Sequence, residues 1–211
     1  MRRYLELLVF GGERRESQGA PPPAWRRLFH VVVGSTIPVA AIFLPGTVMV
    51  WALSVLAAGG LGLDLVRFKV GWLNRIFTWL LAPLLKADEA GHITGATYML
   101  IAALLVYLLY GKEVAIPVMF FLSLGDPAAA LVGRRMPGPR IRGKSPLGSA
   151  AFIGVGAGAA AALVAANGID HHWALWVGAA VAGAAELASV PPDDNLAVPT
   201  IAGTVMHFLG V

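Results

Sequence analysis

The 211-residue chain is 57% hydrophobic and only 13% charged, with a mean hydropathy of +0.72, an apolar excess that a soluble core of this size could not absorb. It has no cysteine, which excludes disulfides, iron–sulfur clusters and thiol nucleophiles. Its net charge of +4 and pI near 9.8 are read as basic loops meeting anionic headgroups, not as a nucleic-acid footprint.

At the N-terminus, Arg2 and Arg3 precede a short apolar run over 4–10. Gly-Gly-Glu-Arg-Arg follows that run instead of a cleavage site. Residues 1–25 are therefore expected to form a cytoplasmic arm with an interfacial stretch, stiffened by Pro21, Pro22 and Pro23. Residues 26–211 are expected to form one all-α transmembrane domain, a polytopic helix bundle. A helix needs about 20 apolar residues to cross the hydrocarbon core, and seven stretches approach that length: 28–44, 47–66, 94–111, 114–133, 148–166, 173–189 and 196–210. Between the second and third, residues 72–85 read as an interfacial helix. Asn74, Arg75 and Pro83 interrupt its apolar pattern, and Trp72 and Trp79 suit the headgroup layer.

Charge orients the bundle. With the N-terminus inside, the arm together with Arg26 and Arg27 just after it, the 67–86 loop and the 134–144 loop hold fifteen of the sixteen Lys and Arg, leaving Lys112 outside. Gly154, Gly156, Gly158, Gly178 and Gly183 in the fifth and sixth spans are expected to allow close helix packing.

Acids inside spans are costly and mark function by default. Asp64 and Glu186 fall near the cytoplasmic ends of their spans, and Asp126 about 12 Å deep from the same side. Asp88, Glu89 and His92 in one inside loop, and Asp193, Asp194 and Asn195 in another, share that face with the basic loops. Pro127 after Asp126 predicts a helix start with Asp126 as N-cap, so the fourth span is expected to be broken there around a metal or phosphate site. The 133–149 loop sets Arg134, Arg135, Arg140, Arg142 and Lys144 among Gly, Pro and Ser. Such a loop suits an oligophosphate, or equally a topogenic contact with anionic lipid. Gly-Lys-Ser at 143–145 is not read as a P-loop, because Pro139 stands four residues before Gly143 where an upstream glycine is sought, and no strand precedes it. His30, four residues after Arg26 at the start of the first span, could transfer a proton or simply bond a neighbouring helix. His171 and His172 read as a solvated outside loop, and His207 as structural.

An ordered set of segments resembles the CTP-dependent lipid-alcohol kinases, the family of dolichol, phytol and CTP-using diacylglycerol kinases. It comprises Arg26…His30, Asp64-Leu-Val-Arg67, Glu89…His92-Ile-Thr-Gly-Ala-Thr-Tyr98, Gly125-Asp126…Gly133-Arg134, Gly143-Lys144-Ser145-Pro-Leu-Gly148-Ser149 and Glu186…Asp194-Asn195…Pro199. Pro127 stands where the family usually carries a small residue, and Pro146-Leu147 where a Thr-Leu/Val-Glu pattern is frequent. The resemblance implies transfer of the γ-phosphate of CTP to a membrane-dissolved alcohol at the cytoplasmic face, with Mg²⁺. It implies Asp126, Lys144, Glu89 and His30 as catalytic candidates, and Gly133, Arg134, Arg135, Arg142, Ser145, Gly148 and Asn195 as nucleotide-binding ones. Asp126, Glu186 and Asp194 are the expected metal ligands. Two other readings stay open: a cytidylyltransferase that releases pyrophosphate from CTP, and a transporter, whose polar path should reach both faces.

Overall fold

A computed structural model describes residues 24–82, 84–85 and 89–211. Residues 1–23 of the expected arm, Lys86 and Asp88 lie outside the described residues, as does the side chain of Arg26, while residues 24 and 25, expected in the arm, open the first helix. Among the described residues there are eight helices and no strand: α1 (Ala24–Phe43), α2 (Gly46–Lys69), α3 (Gly71–Leu81), α4 (Gly95–Tyr110), α5 (Lys112–Arg135), α6 (Pro146–Ala165), α7 (Ala174–Ala188) and α8 (Asp194–Phe208). Seven of them fall on the seven apolar stretches, and α3 on the segment read as interfacial. Three helices, α2, α5 and α6, are long and apolar enough to cross a membrane.

Local chemistry sets the joints. Thr94 caps α4 by accepting from the Thr97 amide. A single residue, Gly111 at φ +79°, separates α4 from α5, and that left-handed backbone is one an L side chain rarely adopts. Asp193 caps α8 by accepting from the Asn195 amide at 2.9 Å.

The centre of the bundle is α5, which packs against α1, α4, α6, α7 and α8. Its residues Val114, Ile116, Val118, Phe121 and Leu122 are almost fully buried. Outward faces carry the opposite pattern: Val33, Phe43, Trp51, Val55, Leu65 and Leu109 are exposed, an apolar surface larger than water tolerates on a soluble monomer.

Two sequence expectations are corrected. First, α5 runs unbroken from Lys112 to Arg135 with Pro117 and Pro127 inside it, so Asp126 is a mid-helix residue and not an N-cap. An interior proline costs about 3 kcal/mol in an isolated helix. Here packing outweighs that cost: a Cβ on Gly125 would lie 2.8 Å from the Phe152 ring of α6, and Ser123, one turn back, is fully buried with its hydroxyl 3.0 Å from that of Ser35 on α1. Second, only some of the small residues serve packing. Gly156 meets Phe121, Gly178 meets Met206 and Gly183 meets Ile153, whereas Gly154 and Gly158 have nothing within 4 Å of where a Cβ would stand.

Candidate functional site

After α5 the chain makes a miniature hairpin. Ile141 and Lys144 exchange two backbone hydrogen bonds of 2.9 Å across Arg142 (φ +49°) and Gly143 (φ +84°). Two successive positive φ values make a tight turn of the mirror-image type, which favours Gly at its second position. Ser145 follows as N-cap of α6, accepting from the Gly148 amide, with Pro146 opening the helix. Gly138 stands five residues before Gly143, the spacing of a P-loop string. Here, however, the preceding element is helix α5, where a P-loop needs a strand.

The hairpin aims Lys144 inward. Its Nζ lies 2.9 Å from Glu186 Oε1 at the end of α7 and 2.7 Å from Asp194 Oδ2 at the start of α8. The other Glu186 oxygen accepts from Ser149 Oγ at 2.7 Å. Glu186 is 4% exposed and the lysine 26%, so one face of the ammonium remains open. A cleft of about 220 Å³ opens there, lined by Asp126, Ala129, Ala130, Gly133, Arg134, Arg140, Gly143, Lys144, Ser145, Gly148 and Glu186. Arg140 is fixed by donating to the Gly133 carbonyl at 2.6 Å. Gly133 and Gly148 make the cleft floor thin: a Cβ on Gly148 would stand 2.7 Å from the Ala129 carbonyl oxygen. Burial works against the charge on Lys144, but Asp194, Asp126 and Glu186 together outweigh it and hold the pKa above its ordinary 10.5.

A second polar cluster is closed. Arg67, fully buried, spends its whole guanidinium. Its Nε donates to Asp64 Oδ1 at 2.7 Å, Nη1 to Asn74 Oδ1 at 2.8 Å and the Ala90 carbonyl at 3.2 Å, and Nη2 to the carbonyls of Glu89 at 2.9 Å and His92 at 2.6 Å. The rings of Phe68 and Phe77 each lie 4.5 Å from its Cζ. Asp64 Oδ2 in turn accepts from the Thr94 amide at 3.0 Å and from Thr97 Oγ1 at 2.8 Å. Asp64 and Arg67 thus shape the 89–94 segment, which presents Glu89. The Glu89 carboxylate is buried and accepts from the Gly95 amide at 2.8 Å.

The start of α8 joins the two clusters. Asp194 reaches Lys144, while its neighbour Asn195 lies on the Gly95 side. A Cβ on Gly95 would meet Asn195 Nδ2 at 2.6 Å and Glu89 Oε1 at 3.1 Å. Of the expected residues, Asp126, Gly133, Arg134, Lys144, Ser145, Gly148 and Glu186 line one cleft, with Asp194 bonded to its lysine. Glu89 and Asn195 belong to the adjoining cluster. Arg135 is exposed and does not line the cleft, and Arg142 instead donates to the Ala188 carbonyl at 2.9 Å, tying the hairpin to α7. His30 is half-buried on α1, its Nε2 buried without a hydrogen-bond partner. His207 stacks on Tyr110 at 4.9 Å. Sequence reasoning named Arg140, Ser149 and Asn74 only as members of a basic loop, a motif and an interfacial helix, and gave none of them a role of its own in the site. Ser149 follows Ser145 by one helical turn, a legible signal; the directions of Arg140 and Asn74 depend on tertiary placement.

Among the described residues no three His, Cys, Asp or Glu form a group able to hold a metal ion by themselves. Lys144 stands between two of the expected ligands, and both Glu186 oxygens are engaged. Asp126 at the cleft wall offers a hard oxygen donor. The set fits a divalent ion held mainly by phosphate oxygens and water, with one or two carboxylates, as Mg²⁺ prefers. A larger open groove of about 440 Å³ between the start of α2 and the end of α4 is lined by Gly46, Thr47, Val50, Trp51, Tyr107 and Leu108 and carries no charged side chain.

Similarity to known proteins is distant. The chain is 25% identical over 161 residues to CTP-dependent diacylglycerol kinase 1 of Schizosaccharomyces pombe, covering 69% of this chain and 74% of that protein. It is also 25% identical over 131 residues to an uncharacterized protein of Rickettsia prowazekii, covering 61% of this chain and 64% of that one. No family model matches the chain, and no solved structure matches it.

Proposed function

We propose that this protein is a membrane-embedded lipid kinase that transfers the γ-phosphate of CTP to the hydroxyl of a diacylglycerol-, polyprenol- or phytol-type alcohol. The observation that carries the reading is Lys144, bridging Glu186 and Asp194 on the wall of a cleft that also holds Asp126, Arg134 and Arg140. Distant similarity to a CTP-dependent diacylglycerol kinase supports the donor and the lipid acceptor. In this reading seven helices cross the bilayer, α3 lies at its surface, and the N-terminus and cleft face the cytoplasm, as the distribution of Lys and Arg supports.

Phosphoryl transfer needs positioning and charge neutralisation more than covalent chemistry from the protein. Arg134, Arg140 and Lys144 hold the phosphate oxygens. Asp126, with Glu186 or Asp194, would hold a Mg²⁺ ion, which would supply charge neutralisation to the transferring phosphate. The lipid hydroxyl enters sideways from the bilayer, and its oxygen bonds to the γ-phosphorus as the bond to the bridging oxygen breaks and CDP leaves. The hydroxyl proton passes to a carboxylate, Asp126 or Glu89, or to the His30 imidazole.

The test is purified protein in lipid with γ-labelled CTP and a panel of lipid alcohols. Labelled phospholipid and CDP are expected, both abolished by Asp126→Ala. Release of pyrophosphate with a cytidine-bearing lipid would replace the kinase by a cytidylyltransferase, and an unimpaired Asp126→Ala would remove the site assignment.

A further inference from the structure

Helix α3 has two unlike faces. Trp72, Ile76, Trp79 and Leu80 are all more than half exposed, and at 100° per residue they share an arc of about 100°. Asn74, Phe77 and Leu81 occupy the opposite arc. At 11 residues the helix is about 16 Å long, too short to span a bilayer. It follows α2 after one residue, Val70, where Arg67 and Lys69 end a helix long enough to cross.

The inner face meets the closed cluster. Asn74 Oδ1 accepts from Arg67, its Nδ2 donates to the Ala90 carbonyl at 3.0 Å, and Phe77 lies under the same guanidinium. Arg67 holds the carbonyls of Glu89, Ala90 and His92, and the Glu89 carboxylate receives the Gly95 amide.

We infer that α3 docks its Trp72/Ile76/Trp79/Leu80 face on the bilayer surface, and that Asn74 is a positioning residue which, through Arg67, transmits that docking to Glu89. The occupant is lipid because two tryptophans on a short helix, joined to the end of a spanning-length one, match the headgroup–acyl boundary. The functional meaning of Glu89 rests on the kinase reading; the docking and its transmission do not. The Glu89 carboxylate, one of the three candidate proton acceptors, is thereby set only when the protein sits correctly in the membrane that carries its substrate.

The full chain in nanodiscs tests both halves. With lipids brominated near the headgroup, Trp72→Phe/Trp79→Phe should remove about a third of the quenchable emission, two of six tryptophans. Unchanged quenchable emission, with all of the lost fluorescence coming from the part that bromolipid does not quench, would mean that something other than lipid covers the face, overturning the docking. Hydrogen exchange at the Gly95 amide reports the Glu89 carboxylate directly. Asn74→Ala and Trp72→Ser/Trp79→Ser should each speed it about five- to thirtyfold, with the 148–150 amides beside Lys144 unmoved and Trp72→Phe/Trp79→Phe like wild type. Faster exchange in Asn74→Ala but not in Trp72→Ser/Trp79→Ser would overturn the transmission, as would equal acceleration at 148–150. Failure of the kinase reading appears separately, as absence of labelled lipid from a wild type whose exchange pattern is as expected.

Discussion

Gly148 separates two roles that a glycine beside a phosphate cleft can have. A methyl group there would lie 2.7 Å from the Ala129 carbonyl oxygen and 3.4 Å from both the Ala129 carbonyl carbon and the Gly133 Cα. All three are backbone atoms of α5, so no rotamer change relieves the contact. Ordinary contact requires α6 to retreat by about 0.7 Å, the scale of overpacking that costs roughly 1–3 kcal/mol. Because Ser145 caps α6 and Lys144 precedes it, the retreat also carries the ammonium away from Glu186 and Asp194. Gly154→Ala and Gly158→Ala on the same helix are the controls, since nothing lies within 4 Å of either Cβ position; alanine there should be neutral, or stabilising by about 0.5–1 kcal/mol from helix propensity. Thermal unfolding of the three variants in one lipid composition, with CTP-dependent lipid labelling alongside, gives the comparison. Gly148→Ala should melt about 2–10 °C lower and lose most labelling. Equal melting of Gly148→Ala and Gly154→Ala would refute the claim that α5 and α6 are held at backbone contact.

Removing the ammonium should damage fold and chemistry separately. Lys144→Met is expected to cost about 3 kcal/mol by leaving Glu186 buried without its counter-charge and to lower labelling by about 10²-fold or more; adding Glu186→Gln should recover melting temperature but not labelling. Gly95→Ala should cost little in melting, because the atoms it meets end flexible side chains, yet lower turnover by displacing Asn195 and Glu89; a loss of melting as large as the loss of turnover would argue against that split. Arg67→Lys offers three donors to five acceptors and should destabilise by about 3–5 kcal/mol, read as lost expression or lowered melting. For pH, the folded pKa of Lys144 is raised, so its charge contributes stability at every pH below the unfolded value near 10.5 and loses it only above. Melting temperature should therefore show no Lys144-dependent fall between about pH 7 and pH 10; a fall in that window that disappears in Lys144→Met would contradict the pairing.

Composition and hydrophobic runs were enough to place all seven apolar helices within a few residues of their observed bounds, because lipid-facing and core residues are both apolar and only the turns are not. The caps at Thr94, Ser145 and Asp193 were not read from the sequence, although each depends only on bonds to residues two or three positions away. What the chain alone misjudged was Pro127. The local rule predicts a helix start, but Phe152 packing on Gly125 and α6 lying against Ala129 hold α5 continuous. The sequence also showed acids and cations converging on one end of the bundle without showing which meet. Lys144 finds Glu186 and Asp194, 42 and 50 residues away, and Arg67 closes around carbonyls more than 20 residues on. Such partners are chosen by how helices stack, and stacking depends on side-chain shape over the whole molecule, which no local pattern records.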